Sequence, residues 1–284
     1  MIDKLQNLKR ELTVICVTYN SGHVIEHFLS SLDSDIKVII VDNGSTESTL
    51  PDRLRNRAHV ISTGSNIGYG SACNLGAAAT SSQLLLFSNP DIRFESDSIE
   101  QLLKAASDFP NAAFNPLIYR KGKLHIRRWS RLMPGQTLDR SQVDIDNTIP
   151  VLSGACFLVR RDHFDQINGF DQNIFLFHED DDLSARLKRL GVQLRLAAGS
   201  KVHHNAGNSS DRSPASERIK GNAMAQSLIY VMQKYALPFD ISVERRKSFL
   251  KLALPYVFLH KARRTKLLGF IEGLSDRQSK STKI

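Results

Sequence analysis

The sequence contains few cysteines and no long hydrophobic run, and each absence argues against a class of protein. Its cysteines are Cys16, Cys73 and Cys156. Because they are odd in number and far apart, they argue against a disulfide framework or a zinc site and predict buried, reduced thiols. The apolar run at residues 252–259 is far shorter than the roughly 20 residues of a membrane-spanning helix. We therefore expect no transmembrane segment.

The sequence also lacks a secretion signal and low-complexity segments. The first residues, MIDKLQNLKREL, alternate charged and apolar side chains and lack the continuous apolar core of a secretion signal. The protein is therefore expected in the cytoplasm. With 284 residues, 41% of them hydrophobic, the chain has enough apolar material for one large domain or for a domain with an appendage.

Positive charge is in excess over negative charge. The 38 Lys and Arg residues against 29 Asp and Glu residues give a formal net charge of +9, which favours phosphates, anionic lipids or nucleic acid as neighbours. The basic residues are spread along the chain, and no helix-turn-helix or aromatic RNA-binding signature is present. We therefore expect no nucleic-acid partner.

In the first half, apolar β-rich runs alternate with polar loops and helical patterns. The runs are LTVICVTYN, KVIIVDNGS, HVIST and QLLLFSNPD. Such alternation predicts an α/β domain whose mostly parallel sheet is flanked by helices, because parallel strands need crossover helices. We expect a core domain at residues 1–235 and a basic, amphipathic helical tail at residues 236–284.

The middle of the chain is less regular. Residues 115–150, which include the basic stretch RKGKLHIRRWSR, predict a ribbon over the mouth of a site. A buried strand and helix follow at 151–164. The next helix is predicted to turn Leu183, Leu187 and Leu190 inward and to end at Gly191. Two short strands are expected in residues 192–207.

Polar residues and glycines follow each predicted strand of the first half. In such sheets ligands bind at the carboxyl ends of the strands, so a single binding site is predicted there. The glycine-containing loop GSNIGYGSACNLG fits neither GxGxxG nor GxxxxGK[ST] and so argues against a dinucleotide fingerprint and a P-loop. Asp42 alone is better explained by the turn that Asp-Asn-Gly favours. The candidate binding residues are Thr18, Tyr19, Asn20, Asp42, Asn66, Gly68 and Asn89.

Asp91, in the stretch FSNPDI, is the strongest candidate for a metal ligand. Pro90 holds this carboxylate directly after a buried strand, where it could bind Mg²⁺ or Mn²⁺ beside a diphosphate. His203 and His204 should face opposite sides of their strand. His204, which precedes small residues, is the better candidate for a metal or phosphate contact, although a lone histidine is more often structural.

Four consecutive acids, Glu179 to Asp182, open the predicted helix. Acidic residues stabilise a helix N-terminus, but four adjacent carboxylates repel one another and should raise at least one pKa, as happens where a base is needed. We favour Asp180 as the general base and Glu179 as the second choice. Asp182 is a third candidate, although Arg186 four residues later offers it a structural ion pair.

Taken together and in this order, several motifs resemble those of the inverting glycosyltransferases of family two. The resemblance extends from about Leu12 to Ser209. Within the family, the motifs are most similar to those of the bacterial rhamnosyltransferase-type branch. The motifs are TVICVTYNSG, VIIVDNGS, NIGYGSACNLG, LLLFSNPD, LSGACFLVRRDHF, NGFD, HEDDDLSARLKRLG and the HxxGxS pattern from His204 to Ser209.

The resemblance implies a GT-A fold and a role for each matching residue. Thr18 and Asn20 would line the base pocket and Asp42 would lie near the base or ribose. Asn66 and Gly68 would approach the nucleotide and Asp91 would bind the metal, Mg²⁺ or Mn²⁺. The acidic base motif carries over to Glu179, Asp180 and Asp182. Asn89 departs from the family's Asp-x-Asp pattern because it replaces the first carboxylate.

The activity implied is transfer of a sugar from a nucleoside-diphosphate sugar by one inverting displacement. The resemblance points first to dTDP-L-rhamnose as donor, with UDP-sugars as the alternative. A cell-surface glycan or lipid-linked saccharide is the implied acceptor. A non-catalytic sugar-nucleotide-binding subunit is the competing interpretation, and Asn89 is its only support.

The tail combines basic and bulky apolar residues, as in ERRKSFLKLALPYVFLHKARRTKLLGF. Such segments suit peripheral contact with anionic lipid, here at the inner face of the cell membrane. A helix pair packed on the catalytic domain and interrupted at Pro255 explains the pattern equally well.

Overall fold

The computed structural model describes residues 2–46, 56–138, 148–205 and 213–276. They form two compact units. The first, called the α/β unit, contains the described residues up to 171 and those from 180 to 205. The second, called the helical unit, contains residues 172–179 and 213–276. This division falls earlier than the boundary expected near Tyr235, and where the catalytic domain ends in function stays a prediction.

The α/β unit is built on a nine-stranded sheet. Four strands of the first half lie side by side in parallel, in the order β3–β2–β1–β4. The sheet then continues through β8, β6, β9 and β5, with β7 paired to β6. The strands are β1 (Leu12–Thr18), β2 (Lys37–Asp42), β3 (His59–Ser62), β4 (Leu84–Ser88), β5 (Ile92–Phe94), β6 (Ala112–Arg120), β7 (Lys123–His125), β8 (Cys156–Arg160) and β9 (Gln193–His204).

Helices cover both faces of this sheet. They are α1 (Ile2–Arg10), α2 (Gly22–Ser30), α3 (Tyr69–Ala78), α4 (Ser98–Asp108), α5 (Arg161–Gln166) and α6 (Glu179–Arg189). All seven residues of β1 are buried. Cys16 belongs to a core cluster with Phe28, whereas Ile15 belongs to a second cluster with Ala72. A strand covered on both faces is mostly apolar, as β1 is. The predicted α/β fold, with a mostly parallel sheet flanked by helices, is confirmed.

Two local expectations were wrong. Residues 193–204 form one strand instead of two, because β9 pairs with β6 on both sides of a register shift at Pro116/Leu117. Leu190 is 40% exposed because α6 ends at Arg189. The predicted ribbon begins as the β6–β7 hairpin. Its turn residues Lys121 and Gly122 both have positive φ, which matches the twist of paired strands.

The helical unit contains α7 (Pro214–Lys234), α8 (Ile241–Leu252), α9 (Pro255–Phe258) and α10 (Lys261–Asp276). Ser213 caps α7 by accepting a hydrogen bond from the backbone N–H of Ser216, and Pro214 occupies the first turn. The predicted interruption at Pro255 is confirmed. Among the described helices, none is long and apolar enough to cross a membrane.

Candidate active site

The tip of β1 carries the first group of predicted binding residues. Thr18 is completely buried, and its hydroxyl donates to the carbonyl of Val41 in β2 at 3.4 Å. The backbone N–H of Tyr19 donates to the Ser21 hydroxyl. Thr18 therefore joins two strands in this structure, and its contact with a ligand stays a prediction.

Asn20 and Asp42 are brought together by the loop after β2. Asn20 has a φ of 53°, a conformation that asparagine tolerates better than most residues. Its backbone N–H donates to the Ser45 hydroxyl at 2.8 Å. The N–H of Ser45 in turn donates to Asp42 Oδ1 at 2.9 Å. The tips of β1 and β2 thus form one hydrogen-bonded platform.

Asn43, which was not among the predicted binding residues, ties the glycine-containing loop to this platform. Its side-chain amide donates to Asn66 Oδ1 at 3.0 Å and accepts from the N–H of Ile67 at 2.9 Å. Asn66 Oδ1 also accepts from the N–H of Gly68. Gly44 permits this close approach, because a Cβ there would lie 2.5 Å from the Ser65 carbonyl carbon. Asn66 and Gly68 are therefore placed beside Asp42.

The β4 tip buries Asp91. The Asp91 side chain is fully buried, and among the described residues neither carboxylate oxygen accepts a hydrogen bond. Its Oδ1 lies 3.2 Å from His204 Nε2, because Ile92 pairs with His204 across β5 and β9. His203 faces the opposite side and is exposed, as alternation predicts.

Arg120 fixes the ring of His204. Its Nε–H donates to His204 Nδ1 at 3.1 Å, which orients the ring with Nε2 toward Asp91. Burial lowers the pKa of Arg120, and the charge of Asp91 opposes this shift. In this arrangement His204 holds Asp91. Direct metal ligation by His204 stays a prediction and requires the ring to give up one of these contacts.

A buried carboxylate that accepts no hydrogen bond is costly, and a bound cation would offset that cost. Among the described residues no three His, Cys, Asp or Glu side chains form a metal cage. Mg²⁺ needs no such cage, since it commonly binds through one or two carboxylates together with phosphate oxygens and water. Asp91 therefore fits a divalent ion bound with a diphosphate.

Asp180 is held from two sides near the start of α6. Its Oδ2 accepts from the N–H of Gly154 at 2.9 Å and lies 2.7 Å from Arg127 Nη1. The side chain remains partly accessible to solvent. Arg127, from the irregular basic stretch, was missed as a site residue because 53 positions separate it from Asp180, and only the fold brings them together.

The neighbouring acids have different surroundings. Asp181 accepts two hydrogen bonds from Arg127 Nη2, at 2.8 and 2.9 Å. Burial by itself would lower the pKa of Arg127, but the charges of Asp180 and Asp181 outweigh burial and raise this pKa. Asp182, with 0% exposure, is paired with Arg186, as the structural alternative predicts. Glu179 is buried.

The loop before β8 connects the acids to the β4 tip. Asn115, fully enclosed, donates to the carbonyls of Ser153 and Cys156 and accepts from the N–H of Ser153. Next in the loop, Ala155 accepts from the N–H of Asn89 at 2.9 Å. Asn89 and the Asp180-binding Gly154 therefore flank the same residue, and the two halves of the predicted site lie on adjacent strand ends.

The thiols lie in the core instead of taking part in this chemistry. Burial, with the charge of Asp91 adding to it, raises the pKa of Cys16 well above its ordinary value. Burial likewise raises the pKa of Cys156 to about 12, although a hydrogen bond with Ser88 opposes the shift. Cys73 is also buried, so the prediction of buried free thiols is confirmed.

A strained backbone segment precedes the acids. Phe177 and His178 both have a φ of 67°, which is costly for side chains of this size and is found mainly at functional sites. Lys266 lies over the Phe177 ring, 4.2 Å from its centroid, and burial lowers the pKa of Lys266. Residues 206–209 of the HxxGxS pattern lie outside the described residues.

Comparisons with known proteins identify families and relatives whose sequences resemble this chain. The family described as "Glycosyl transferase family 2" matches residues 13–167, and "N-terminal domain of galactosyltransferase" matches residues 137–206. A relative from Mycobacterium tuberculosis, N-acetylglucosaminyl-diphospho-decaprenol L-rhamnosyltransferase, is 34% identical over 244 residues. This alignment covers 72% of the present chain and 79% of the relative.

Solved structures show the same fold at low sequence identity. GalNAc-T7 with UDP, GalNAc and Mn²⁺ has a TM-score of 0.62 and 15% identity, covering 95% of this chain but 57% of that one. The mannosyltransferase PcManGT from Pyrobaculum calidifontis, in complex with GDP-Man and Mn²⁺, has a TM-score of 0.56 and 14% identity, covering 94% and 87%. From the family match and the mycobacterial relative together, the chain belongs to glycosyl transferase family 2.

Proposed function

We propose that the protein transfers L-rhamnose from dTDP-L-rhamnose to a saccharide or lipid-linked saccharide acceptor, with inversion at the anomeric carbon. The mycobacterial rhamnosyltransferase, 34% identical, supports the donor sugar and the lipid-linked acceptor. The observation that carries the proposal is the partly accessible Asp180 carboxylate, held by Gly154 and Arg127 on the strand end next to Asn89.

The nucleotide is proposed to bind on the platform at the tips of β1 and β2. Asn20, Asp42 and Asn66 offer side-chain oxygens and amides to the base and ribose. Gly68, at the N-terminus of α3, has a φ of 88° and no side chain to obstruct a phosphate. Backbone N–H groups at such a helix start favour an anion. Thr18 and Tyr19 would support this surface from beneath.

The diphosphate is proposed to bind near Asn89 and Asp91, together with Mg²⁺ or Mn²⁺. Asp91 would bind the ion, His204 would hold Asp91 or contribute directly, and Asn89 would hydrogen-bond the ribose or a water. When bound, the ion offsets the negative charge that builds on the departing nucleoside diphosphate. Two neighbours of the same fold contain Mn²⁺, which supports the choice of ion.

Asp180 is proposed as the general base. It would accept the proton of the acceptor hydroxyl while that oxygen attacks the anomeric carbon and the bond to the diphosphate breaks. A base within hydrogen-bond reach commonly contributes about 10²–10⁴-fold in rate. Glu179 is the second choice, whereas the ion pair of Asp182 with Arg186 suits a structural role.

Arg127 is proposed to position the base. Its guanidinium contacts Asp180 and Asp181 at once, which fixes the direction of the Asp180 carboxylate. The N–H of Gly154 holds the same Oδ2 atom, and the N–H of Asp181 donates to Oδ1 at 3.0 Å, so neighbouring groups orient both oxygens of the proposed base.

The cytoplasm and the inner face of the cell membrane are the proposed location. The proposal includes peripheral contact with anionic lipid, where a lipid-linked acceptor would lie.

A donor panel tests the proposal. The purified chain is given Mn²⁺ or Mg²⁺, an N-acetylglucosaminyl-diphospho-prenol acceptor, and dTDP-L-rhamnose, UDP-glucose, UDP-N-acetylglucosamine or GDP-mannose in turn. The expected result is glycosylated product only, or fastest, with dTDP-L-rhamnose. Faster transfer from a UDP-sugar would show that the donor is that UDP-sugar and not dTDP-L-rhamnose. Nucleotide-sugar binding without transfer or hydrolysis would favour the non-catalytic subunit.

A further inference from the structure

The helix α8 exposes two bulky apolar side chains and buries two polar ones. Its buried side chains are polar, namely Glu244 and the fully enclosed Ser248, whereas Phe249 is exposed and Leu250 is 74% exposed. A surface helix that is complete within its own protein has the reverse arrangement, with apolar side chains inward. The outward face of α8 is therefore suited to an apolar partner outside the described chain.

The exposed apolar surface continues beyond α8. Residues 249–259 contain six of the fifteen exposed large apolar side chains among the described residues, and the other nine are scattered. A contiguous group marks an interaction surface, whereas single exposed residues do not. We call this group the apolar edge: Phe249, Leu250, Leu254, Tyr256, Phe258 and Leu259.

Basic residues accompany the apolar edge. In residues 241–268 the single acid is the buried Glu244, against eight lysines and arginines. The guanidinium of Arg263 lies 5.8 Å from the ring centroid of Tyr256, and that of Arg264 lies 5.8 Å from Phe258. The basic residues are Arg245, Arg246, Lys247, Lys251, Lys261, Arg263, Arg264 and Lys266. Bulky apolar groups combined with unbalanced positive charge are typical of segments that lie in the plane of an anionic bilayer.

We propose that the apolar edge docks on an anionic lipid bilayer. Its apolar side chains insert into the bilayer, and the neighbouring lysine and arginine side chains contact the headgroups. A second copy of the chain is a poorer occupant, because a two-fold interface would bring this basic surface against itself. The inference deepens the proposed function, since a lipid-linked acceptor would lie in the same bilayer. Docking itself requires neither donor nor acceptor.

Vesicle sedimentation of the full chain tests the proposal. Vesicles of phosphatidylcholine alone are compared with vesicles that also contain phosphatidylglycerol, at low and raised salt. We expect binding to the anionic vesicles, weakened by salt because the headgroup attraction is screened. The variant Leu250→Ser/Leu259→Ser should lower the apparent binding constant by at least about tenfold. Both side chains are more than 70% exposed, so the unfolding temperature should not change.

A matched variant, Leu75→Ser/Leu190→Ser, changes two exposed leucines outside the apolar edge and should bind as the wild type does. Absence of wild-type binding to anionic vesicles, or equal binding by the Leu250→Ser/Leu259→Ser variant, would overturn the proposal. So would a wild-type dimer that this variant dissociates, because the edge would then cover a second copy. Sugar transfer to a short-chain acceptor without vesicles is measured in parallel. If the wild-type protein transfers sugar but does not bind vesicles, only the membrane inference is rejected. If it binds vesicles but does not transfer sugar, only the proposed function is rejected.

Discussion

At the scale of single residues, the consecutive acids at the start of α6 differ in what surrounds them. Asp182 is enclosed and paired with Arg186, which also donates to the carbonyls of Ile167 and Gly169. Asp180 is partly accessible, with Oδ2 held by Gly154 and Arg127 and Oδ1 accepting from the N–H of Asp181. Burial and pairing thus separate a structural carboxylate from a candidate base.

Replacement of Asp182 is expected to reduce stability. Asp182→Asn leaves the Arg186 charge without its buried partner, so the free energy of unfolding should fall by about 3 kcal/mol. Asp165→Asn is the matched control, because Asp165 forms an exposed ion pair with Arg161, also four residues apart, and should cost at most about 0.5 kcal/mol. Urea unfolding measures both. Equal midpoints for the two variants would show that the Asp182 pair has no special weight.

Replacement of Arg127 is expected to slow turnover without weakening donor binding. Arg127→Met releases the Asp180 carboxylate, so kcat should fall by about 10- to 100-fold while the KM for the donor is unchanged. Arg127→Lys should recover part of the rate. The neighbouring Arg128 is exposed, and Arg128→Met serves as the control in steady-state assays. A wild-type kcat for Arg127→Met would contradict the positioning role.

Asn89 tests how the metal is held. Asn89→Asp adds a carboxylate to the β4 tip close to the buried Asp91, and a higher ligand charge strengthens divalent-cation binding. The Mn²⁺ concentration for half-maximal activity should fall by about tenfold, and Asp91→Asn should raise it. Mn²⁺ binding measured by electron paramagnetic resonance in the presence of dTDP provides a readout independent of turnover. Identical Mn²⁺ affinity in the wild type, Asn89→Asp and Asp91→Asn would show that neither residue binds the metal.

At the scale of elements, glycines bring α7 and α10 into close contact. A Cβ at Gly221 would lie 1.9 Å from the carbonyl oxygen of Lys266, and one at Gly269 would lie 2.0 Å from that of Arg218. Arg218 also forms a two-point ion pair with Glu272 across the same helices. The two helices therefore approach each other backbone to backbone at Gly221 and Gly269.

A methyl group at this contact is expected to separate the helices. Gly269→Ala should lower the free energy of unfolding of the helical unit by about 1–3 kcal/mol, because backbone atoms cannot move aside as a flexible side chain can. Leu268→Ala, next to it and exposed, should have a small effect. Thermal unfolding followed by circular dichroism compares them. A Gly269→Ala melting temperature at or above that of Leu268→Ala would contradict the packing described.

The elements that the sequence predicted well are those with strong local patterns. The first four strands, α6 and the break at Pro255 follow from periodicity and proline chemistry. The continuity of β9 depends on its pairing with β6, and the meeting of Arg127 with Asp180 depends on a contact across 53 residues. The burial of Thr18 likewise follows from its neighbours in the sheet. Such long-range contacts leave no local signal in the sequence.

At the scale of the whole molecule, polar chemistry and basic apolar surface are found in separate parts of the chain. The hydrogen-bonded platform, Asp91 and Asp180 belong to the α/β unit, whereas the apolar edge belongs to the helical unit. The net charge of +9 is therefore best explained by anionic partners of two kinds, a nucleoside diphosphate and a lipid surface. Both are proposals, and they can be tested separately.

Inverting transfer with Asp180 as base is the activity proposed for this member of the family. Proton NMR of the reaction of dTDP-L-rhamnose with an N-acetylglucosaminyl-diphospho-prenol acceptor tests this activity, because the spectra report rate and anomeric configuration together. We expect a product with the configuration opposite to that of the donor, and an Asp180→Asn enzyme that folds normally but is slower by about 10²–10⁴-fold. A product with retained configuration, or an Asp180→Asn enzyme as fast as the wild type, would contradict this proposal.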